Sequence, residues 1–139
     1  MADRKLEDSR TFENLRQAFF EEASLALRYR FFATVAGFEG LDRFEELFRE
    51  FGEGGTGSAH GCLDFLRPCR DPSTEVPLGG TQRNLESVRQ SETRQGLELY
   101  PEMARIAREE GFPDVASWFD TLEKLKRSHL QKLGEASDV

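Results

Sequence analysis

An internal repeat covers most of this 139-residue chain. Residues 11–15 (TFENL) return 70 positions later as residues 81–85 (TQRNL), and Glu22 returns as Glu92 at the same offset. Further along the chain the offset is 71, and the matched residues there are Ala33, Val35, Ala36, Glu39, Gly40 and Phe48 with Ala104, Ile106, Ala107, Glu110, Gly111 and Phe119. Self-similarity at a fixed period indicates a duplicated supersecondary unit.

The apolar residues within each copy are spaced three and four apart, which is typical of one face of a helix. This pattern predicts helices over residues 12–38, 41–66, 81–110 and 113–134. The proline-rich and glycine-rich residues 67–80 are predicted to be a crossover loop, long enough to run back along a bundle. The sequence therefore predicts an all-α fold: a single domain over residues 1–139, a four-helix bundle made from two duplicated helical hairpins.

The second predicted helix contains a run of glycines, which are Gly52, Gly54, Gly55, Gly57 and Gly61. Each costs about 1 kcal/mol relative to alanine inside a helix. The matching region of the second copy has no such run. We therefore expect a helix that is weakened, bent or locally unwound between Gly52 and Gly57, and a kink at Pro101 in the third helix.

Composition narrows the classes of partner. The formal net charge of −7 argues against nucleic acid and anionic membranes, because both select a basic face. No apolar run approaches the roughly 20 residues of a membrane helix, and the first residues lack a signal peptide's apolar stretch. We expect a cytoplasmic protein. In that compartment Cys62 and Cys69 are expected to be free thiols, with a disulfide or a metal clip with His60 as the alternatives.

The matched glutamates Glu22 and Glu92 indicate carboxylates that point into a bundle, which is the usual setting for two metal ions. In duplicated bundles of that kind, each half adds a Glu-x-x-His from its second helix, because residues three apart share a face. The offset of 71 pairs Gly55 with Lys126 and places His129 three residues further on. The positions that should complete a metal site are therefore mostly changed.

Particular motifs give the chain a specific resemblance. They are Asn14-Leu15, Ala18-Phe19, Glu22, Arg28-Tyr29, Phe32-Ala33, Thr56-Gly57, Ala59-His60-Gly61, Asn84-Leu85, Glu92-Thr93, Tyr100-Pro101, Glu110-Gly111-Phe112 and Arg127-Ser128-His129. On these motifs the chain resembles the rubrerythrin family, in the version without a rubredoxin domain. The resemblance implies a ferritin-like diiron domain that is typically a dimer. It also implies reduction of hydrogen peroxide at two irons, with electrons from a rubredoxin-like partner.

The metal ligands that the resemblance implies are largely missing. Glu22, Glu92 and His129 remain as residual ligands, for which we expect low metal occupancy. The second-helix Glu-x-x-His reads Gly55-Thr56-Gly57-Ser58, a third-helix glutamate reads Gln95, and the fourth-helix Glu-x-x-His reads Lys126-Arg127-Ser128-His129. The implied diiron site is therefore degenerate, with both bridging carboxylates lost at positions 55 and 126.

Lys126 suggests what replaces the metal. A carboxylate in a bundle core is costly unless it is paired, so we expect the ammonium to pair with Glu22 and Glu92 and to have Gln95 as a hydrogen-bond partner. Tyr29 and Tyr100 are expected to pack beside this network and to donate hydrogen bonds to its carboxylates.

Other interpretations of the site residues stay open. Without a metal, His129 can be a core histidine with a satisfied hydrogen bond. Glu53 and His60 are possible alternative ligands, and unwinding at the glycines would bring His60 inward.

Two functional hypotheses follow. The first is a non-catalytic paralogue without a cofactor, which acts by binding or assembly as a homodimer or as a mixed dimer with a true rubrerythrin. The alternative is a peroxide-reducing oxidoreductase with a remodelled or mononuclear metal site that uses Glu22, Glu92 and His129. A third possibility is a small molecule in the emptied core, because glycine and serine in place of larger ligands leave space.

Overall fold

The computed structural model describes residues 4–137, with the side chain of residue 137 excepted, and within that range it is helical with no strand. A 3₁₀ turn at Leu6–Asp8 precedes the first long helix. The remaining elements are α1 (Arg10–Phe38), α2 (Asp42–Leu66), α3 (Thr81–Arg94), a π-helical turn (Gln95–Leu99), α4 (Tyr100–Glu109) and α5 (Pro113–Ser137). The predicted all-α fold is confirmed. None of the helices in this described range is long and apolar enough to cross a membrane.

The chain forms two compact units, which divide between Pro72 and Ser73. The first unit is the hairpin of α1 and α2. The second is the hairpin in which α3, the π-helical turn and α4 pack against α5. Each hairpin corresponds to one copy of the sequence repeat.

The two hairpin turns have the same backbone hydrogen bonds. Each turn has a glycine with positive φ, 74° at Gly40 and 87° at Gly111, which is the conformation that ends many helices and favours glycine. The amide after each glycine bonds back five residues, and the amide before it bonds back four. These bonds are Leu41 N to Ala36 O (2.9 Å), Phe112 N to Ala107 O (2.8 Å), Glu39 N to Val35 O (3.0 Å) and Glu110 N to Ile106 O (2.9 Å).

The duplication extends to side-chain packing. Tyr29 stacks on Phe48 with ring centroids 6.1 Å apart, and the matching Tyr100 stacks on Phe119 at 6.2 Å. The hairpins are therefore equivalent in how their helices pack as well as in how they turn.

Helix α2 is continuous through its glycines, so the predicted local unwinding is wrong. A Cβ at Gly52 would lie 3.2 Å from the carbonyl oxygen of Ala26, and a Cβ at Gly55 would lie 3.1 Å from the Cβ of Ala26. These two glycines let α2 approach α1 closely. Because most helical stability in proteins comes from packing, such contact holds a helix that propensity alone would break.

The π-helical turn explains why the repeat changes its offset. Glu22 and Glu92 are 70 residues apart, whereas Tyr29 and Tyr100 are 71 apart. Helix α1 is α-helical over the whole interval, but the second copy contains the turn Gln95–Leu99 there. A π-helical turn bonds i to i+5 instead of i to i+4, so it accommodates one extra residue. The kink at Pro101 stays a prediction, and the π-helical turn ends at Leu99, two residues before that proline.

The loop after α2 is attached to the first unit. The guanidinium of Arg70 lies 4.2 Å from the ring centroid of the buried Phe12, and Arg16 donates a hydrogen bond to the carbonyl of Pro72. Cys62 and Cys69 are free and half-buried. Burial raises the pKa of the Cys69 thiol, and the nearby negative charge of Glu7 raises it further.

Candidate functional site

Glu92, Lys126 and His129 form a cluster between α3 and α5 in the second unit. Lys126 and His129 are three residues apart on α5 and therefore share the face that meets α3. The Nζ of Lys126 lies 3.2 Å from Glu92 Oε1, and the Nδ1 of His129 lies 3.2 Å from Glu92 Oε2. The glutamate side chain is 13% exposed, the lysine 18% and the histidine 42%. Both oxygens of one sheltered carboxylate are thus occupied by protein donors.

The chemistry of the three groups defines the hydrogen bonds. An ionised carboxylate only accepts, so Nδ1 of His129 carries the proton in its contact with Glu92. The ammonium of Lys126 donates to the other oxygen. At 3.2 Å and an effective dielectric constant of about 20, the attraction between the lysine and glutamate charges is about 5 kcal/mol before desolvation is subtracted. The lysine therefore supplies the positive charge that this carboxylate needs.

Gly96 makes room for the side chain at position 126. It is buried in the π-helical turn, and a Cβ there would lie 2.9 Å from the Cβ of Lys126, closer than two such atoms approach. The corresponding contact in the first unit is reversed, with Gly55 on α2 facing the Cβ of Ala26 on α1 at 3.1 Å. The second hairpin thus keeps a side chain on the later helix and a glycine on the earlier one. The first hairpin does the opposite.

The other altered ligand positions offer no metal donor in the first unit. Gly55 is half-buried against Ala26, and Ser58 is exposed and donates its hydroxyl to the carbonyl of Gly54 at 3.2 Å. The possible alternative ligands Glu53 and His60 are both exposed. Because α2 stays helical, the unwinding that was expected to bring His60 inward does not occur.

Glu22 and Gln95 are not part of the cluster just described. Glu22 lies half-buried on α1 in the first unit, so its pairing with Lys126 stays a prediction. Gln95 begins the π-helical turn and is half-buried. Among the described residues, the hydrogen bond of Lys126 goes to Glu92 and not to Gln95.

Tyr29 and Tyr100 contribute packing. Beyond its stack on Phe48, Tyr29 meets Phe51 edge-on with centroids 5.6 Å apart. Within residues 4–137 neither tyrosine hydroxyl is hydrogen-bonded to a carboxylate. Their equivalence in the two hairpins identifies them as parts of the duplicated scaffold.

The cluster of the second unit by itself offers few metal donors. In the described part of the chain, no group of three or more His, Cys, Asp or Glu side chains is placed to hold a metal ion. Glu92 and His129 supply two donors, one fewer than the three protein ligands of common catalytic metal sites. The next position on the same face is Lys126, whose ammonium has no lone pair to offer a metal.

Two functional features were not identified from the sequence, the π-helical turn and the role of Gly96. The signal for the turn was present in the repeat, because the offset grows from 70 to 71 between Glu92 and Tyr100. The role of Gly96 is a tertiary contact for which the sequence holds no signal. An extra residue inside a continuous helical pattern indicates a π-helical turn, and such turns often lie at functional sites.

The chain is similar to known rubrerythrins. It is 30% identical to Rubrerythrin-1 of Clostridium acetobutylicum over 134 residues, which cover 91% of this chain and 69% of that protein. It is also 30% identical to the rubrerythrin of Porphyromonas gingivalis over 131 residues, with 91% of this chain and 66% of that protein covered. The rubrerythrin of Nitratidesulfovibrio vulgaris is 29% identical over 130 residues, which cover 91% of this chain and 68% of that protein. The chain thus spans about two thirds of the length of these relatives. No family model matches it.

Proposed function

The chain belongs to the rubrerythrin family, and we propose that it is a non-catalytic member that acts by binding or assembly. The observation that carries this proposal is the ion pair between Lys126 and Glu92. A cation stands at a position where the family resemblance implies a bridging carboxylate. It replaces the charge of a metal and removes a ligand at the same time.

The surroundings of Glu92 support the proposal. A metal ion at this carboxylate would have to displace the ammonium of Lys126 from one oxygen and the Nδ1 proton of His129 from the other. The displaced ammonium would then lie beside the incoming cation, and like charges at such distances repel strongly in a sheltered site. Metal binding is therefore disfavoured both by the missing ligands and by charge.

The retained scaffold favours a role in assembly. The hairpin turns and the stacked Tyr–Phe pairs are equivalent in the two copies, although the ligand positions have diverged. We propose a homodimer, which is the assembly that the family resemblance implies, or a mixed dimer with a true rubrerythrin. Sedimentation equilibrium of the chain alone tests the homodimer, and a monomer at micromolar concentration would contradict it.

A second candidate function is an oxidoreductase with a mononuclear metal site. One distance favours it: His129 Nδ1 and Glu92 Oε2 are 3.2 Å apart. Two ligands each about 2.1 Å from one ion, at about 90° to each other, would be separated by about 3 Å. This pair could hold one ion if further ligands were added.

Metal analysis separates the two candidates. Protein purified from iron-supplemented culture should contain far less than one iron or manganese per chain. Lys126→Glu should raise metal binding, because the new carboxylate would join Glu92 and His129 as a third donor. Lys126→Met removes the cation without adding a ligand, and Lys124→Glu makes the same charge change at an exposed position of α5.

The results have distinct meanings. Stoichiometric metal in the natural chain would overturn the first proposal and favour the mononuclear oxidoreductase. If Lys126→Glu keeps its helical circular dichroism but binds no more metal than Lys124→Glu, the reasoning from the cluster is wrong. If Lys126→Met gains as much metal as Lys126→Glu does, the positive charge of Lys126 alone is what excludes the metal.

A further inference from the structure

A shallow cavity of about 240 Å³, open to solvent, adjoins the cluster within the second unit. Its walls come from α3 and α5 and consist of Val88, Glu92, His129, Lys132 and Leu133. The aliphatic Val88 and Leu133 provide apolar surface, and Leu133 is held near α3 because its carbonyl accepts a hydrogen bond from Arg89 at 3.2 Å. The cavity therefore combines an apolar wall with charged groups.

The charge balance at this cavity is opposite to that of the whole chain. Glu92 is neutralised by Lys126 through their 3.2 Å ion pair. Lys132 is exposed and makes no ion pair with another of the described residues. Lys126 does not line the cavity, but together with the lining residues Glu92 and Lys132 it gives a net charge of +1, on a chain whose formal net charge is −7.

We propose that the cavity binds a small organic monoanion with a short apolar chain, of the size of a six-carbon carboxylate. Its anionic head pairs with Lys132, and its chain lies against Val88 and Leu133. At about 30 Å³ per non-hydrogen group, the value for liquid water, the volume of 240 Å³ corresponds to about eight such groups. Hexanoate has that size, whereas inorganic phosphate would leave the apolar wall uncovered.

This inference rests on the proposed function, because Glu92 must be neutralised by Lys126 and not be a metal ligand. If a metal ion took Glu92 and His129, the cavity would lose one wall and gain a much larger positive charge. The metal content of the same preparation is therefore measured first. It decides the proposed function independently of whether hexanoate binds.

The test is a titration of the 15.9 kDa chain with sodium hexanoate, followed through the methyl resonances of Val88 and Leu133. We expect saturable shifts at these methyl groups with a dissociation constant between about 0.1 and 10 mM, the range for a ligand of this size in an open site. Hexanol and sodium phosphate are titrated in parallel. Both should bind at least about fivefold more weakly, because hexanol lacks the charge and phosphate lacks the apolar chain.

Two matched lysine variants test whether Lys132 is the cation that pairs with the anionic head of the ligand. Lys132→Gln should weaken hexanoate binding about fivefold, whereas Lys124→Gln, an exposed position of the same helix outside the cavity, should leave it unchanged. Equal weakening by the two variants would overturn the role of Lys132, and hexanol binding as tight as hexanoate would overturn the need for an anion. In a preparation with little metal, methyl shifts that stay linear in hexanoate concentration up to 20 times the upper end of the expected range of dissociation constants would overturn the site. The proposed function would then still stand.

Discussion

Replacing Gly96 with alanine should destabilise the chain, because Gly96 faces Lys126 across the contact between the π-helical turn and α5. The added Cβ would lie 2.9 Å from the Cβ of Lys126, and backbone atoms of residues 126 and 127 lie 3.8 Å away. The contact involves the rigid base of the lysine side chain and not its flexible end. Relief therefore requires a shift of α5 or of the turn, which would also disturb the ion pair with Glu92.

The magnitude follows from two opposing effects. Overpacking a well-packed contact costs about 1–3 kcal/mol, whereas glycine to alanine inside a helix gains about 0.5–1 kcal/mol. We expect Gly96→Ala to lower the free energy of unfolding by about 1 kcal/mol. Gly57→Ala is the control, since a Cβ at this exposed position in the middle of α2 would meet nothing within 4 Å, and it should stabilise by about 0.5–1 kcal/mol.

Urea denaturation followed by circular dichroism measures both variants. A double-mutant cycle with Lys126→Gly, which removes the opposing Cβ, isolates the contact and should give a coupling energy of about 1–2 kcal/mol. If Gly96→Ala stabilises the chain as much as Gly57→Ala does, or if the coupling is near zero, the close contact between Gly96 and Lys126 is refuted.

Two further predictions concern Lys126 and Cys69. Lys126→Met should lower the free energy of unfolding by about 1–3 kcal/mol, between the values for exposed and buried ion pairs, because it leaves the sheltered Glu92 without its cation. The control Lys124→Met should change it by less than about 0.5 kcal/mol, and equal losses in the two variants would contradict the ion pair. Burial raises the pKa of the Cys69 thiol in the folded chain above the value of about 8.5 in the unfolded chain. The neutral thiol therefore contributes its full stability at pH values below about 8.5, and this stability is lost as the pH rises through the pKa of the folded chain. At pH 8.5 iodoacetamide should therefore alkylate Cys69 more slowly in the native chain than in urea, and equal rates would be evidence against the shift.

The helices and their pairing were predictable because they depend on local pattern. Apolar spacing located the helices, and the repeat identified the equivalent turns at Gly40 and Gly111. Continuity of α2 was not predictable from its glycines. Their cost in a helix depends on what lies opposite, and the approach of Gly52 and Gly55 to Ala26 is a tertiary contact that no local rule contains.

The candidate site was partly predictable for a similar reason. The repeat register placed Glu92, Lys126 and His129 at positions that can meet. In the structure Lys126 Nζ and His129 Nδ1 each lie 3.2 Å from an oxygen of Glu92. The predicted hydrogen bond of Lys126 with Gln95 came from pairing the substituted ligand positions with one another, without the local backbone geometry. The π-helical turn begins at Gln95 and adds a residue to the helix, which changes the directions of side chains from that point on.

The reversed contacts of Gly55 with Ala26 and of Lys126 with Gly96 have a consequence for how this chain can change over evolutionary time. A carboxylate could arise at position 126 by one substitution, because Gly96 already accommodates a side chain there. At position 55 a carboxylate would press on Ala26, so its gain would first need a smaller residue at position 26. Because the order of the two steps matters and the first brings no ligand, a carboxylate is much harder to gain at position 55 than at position 126.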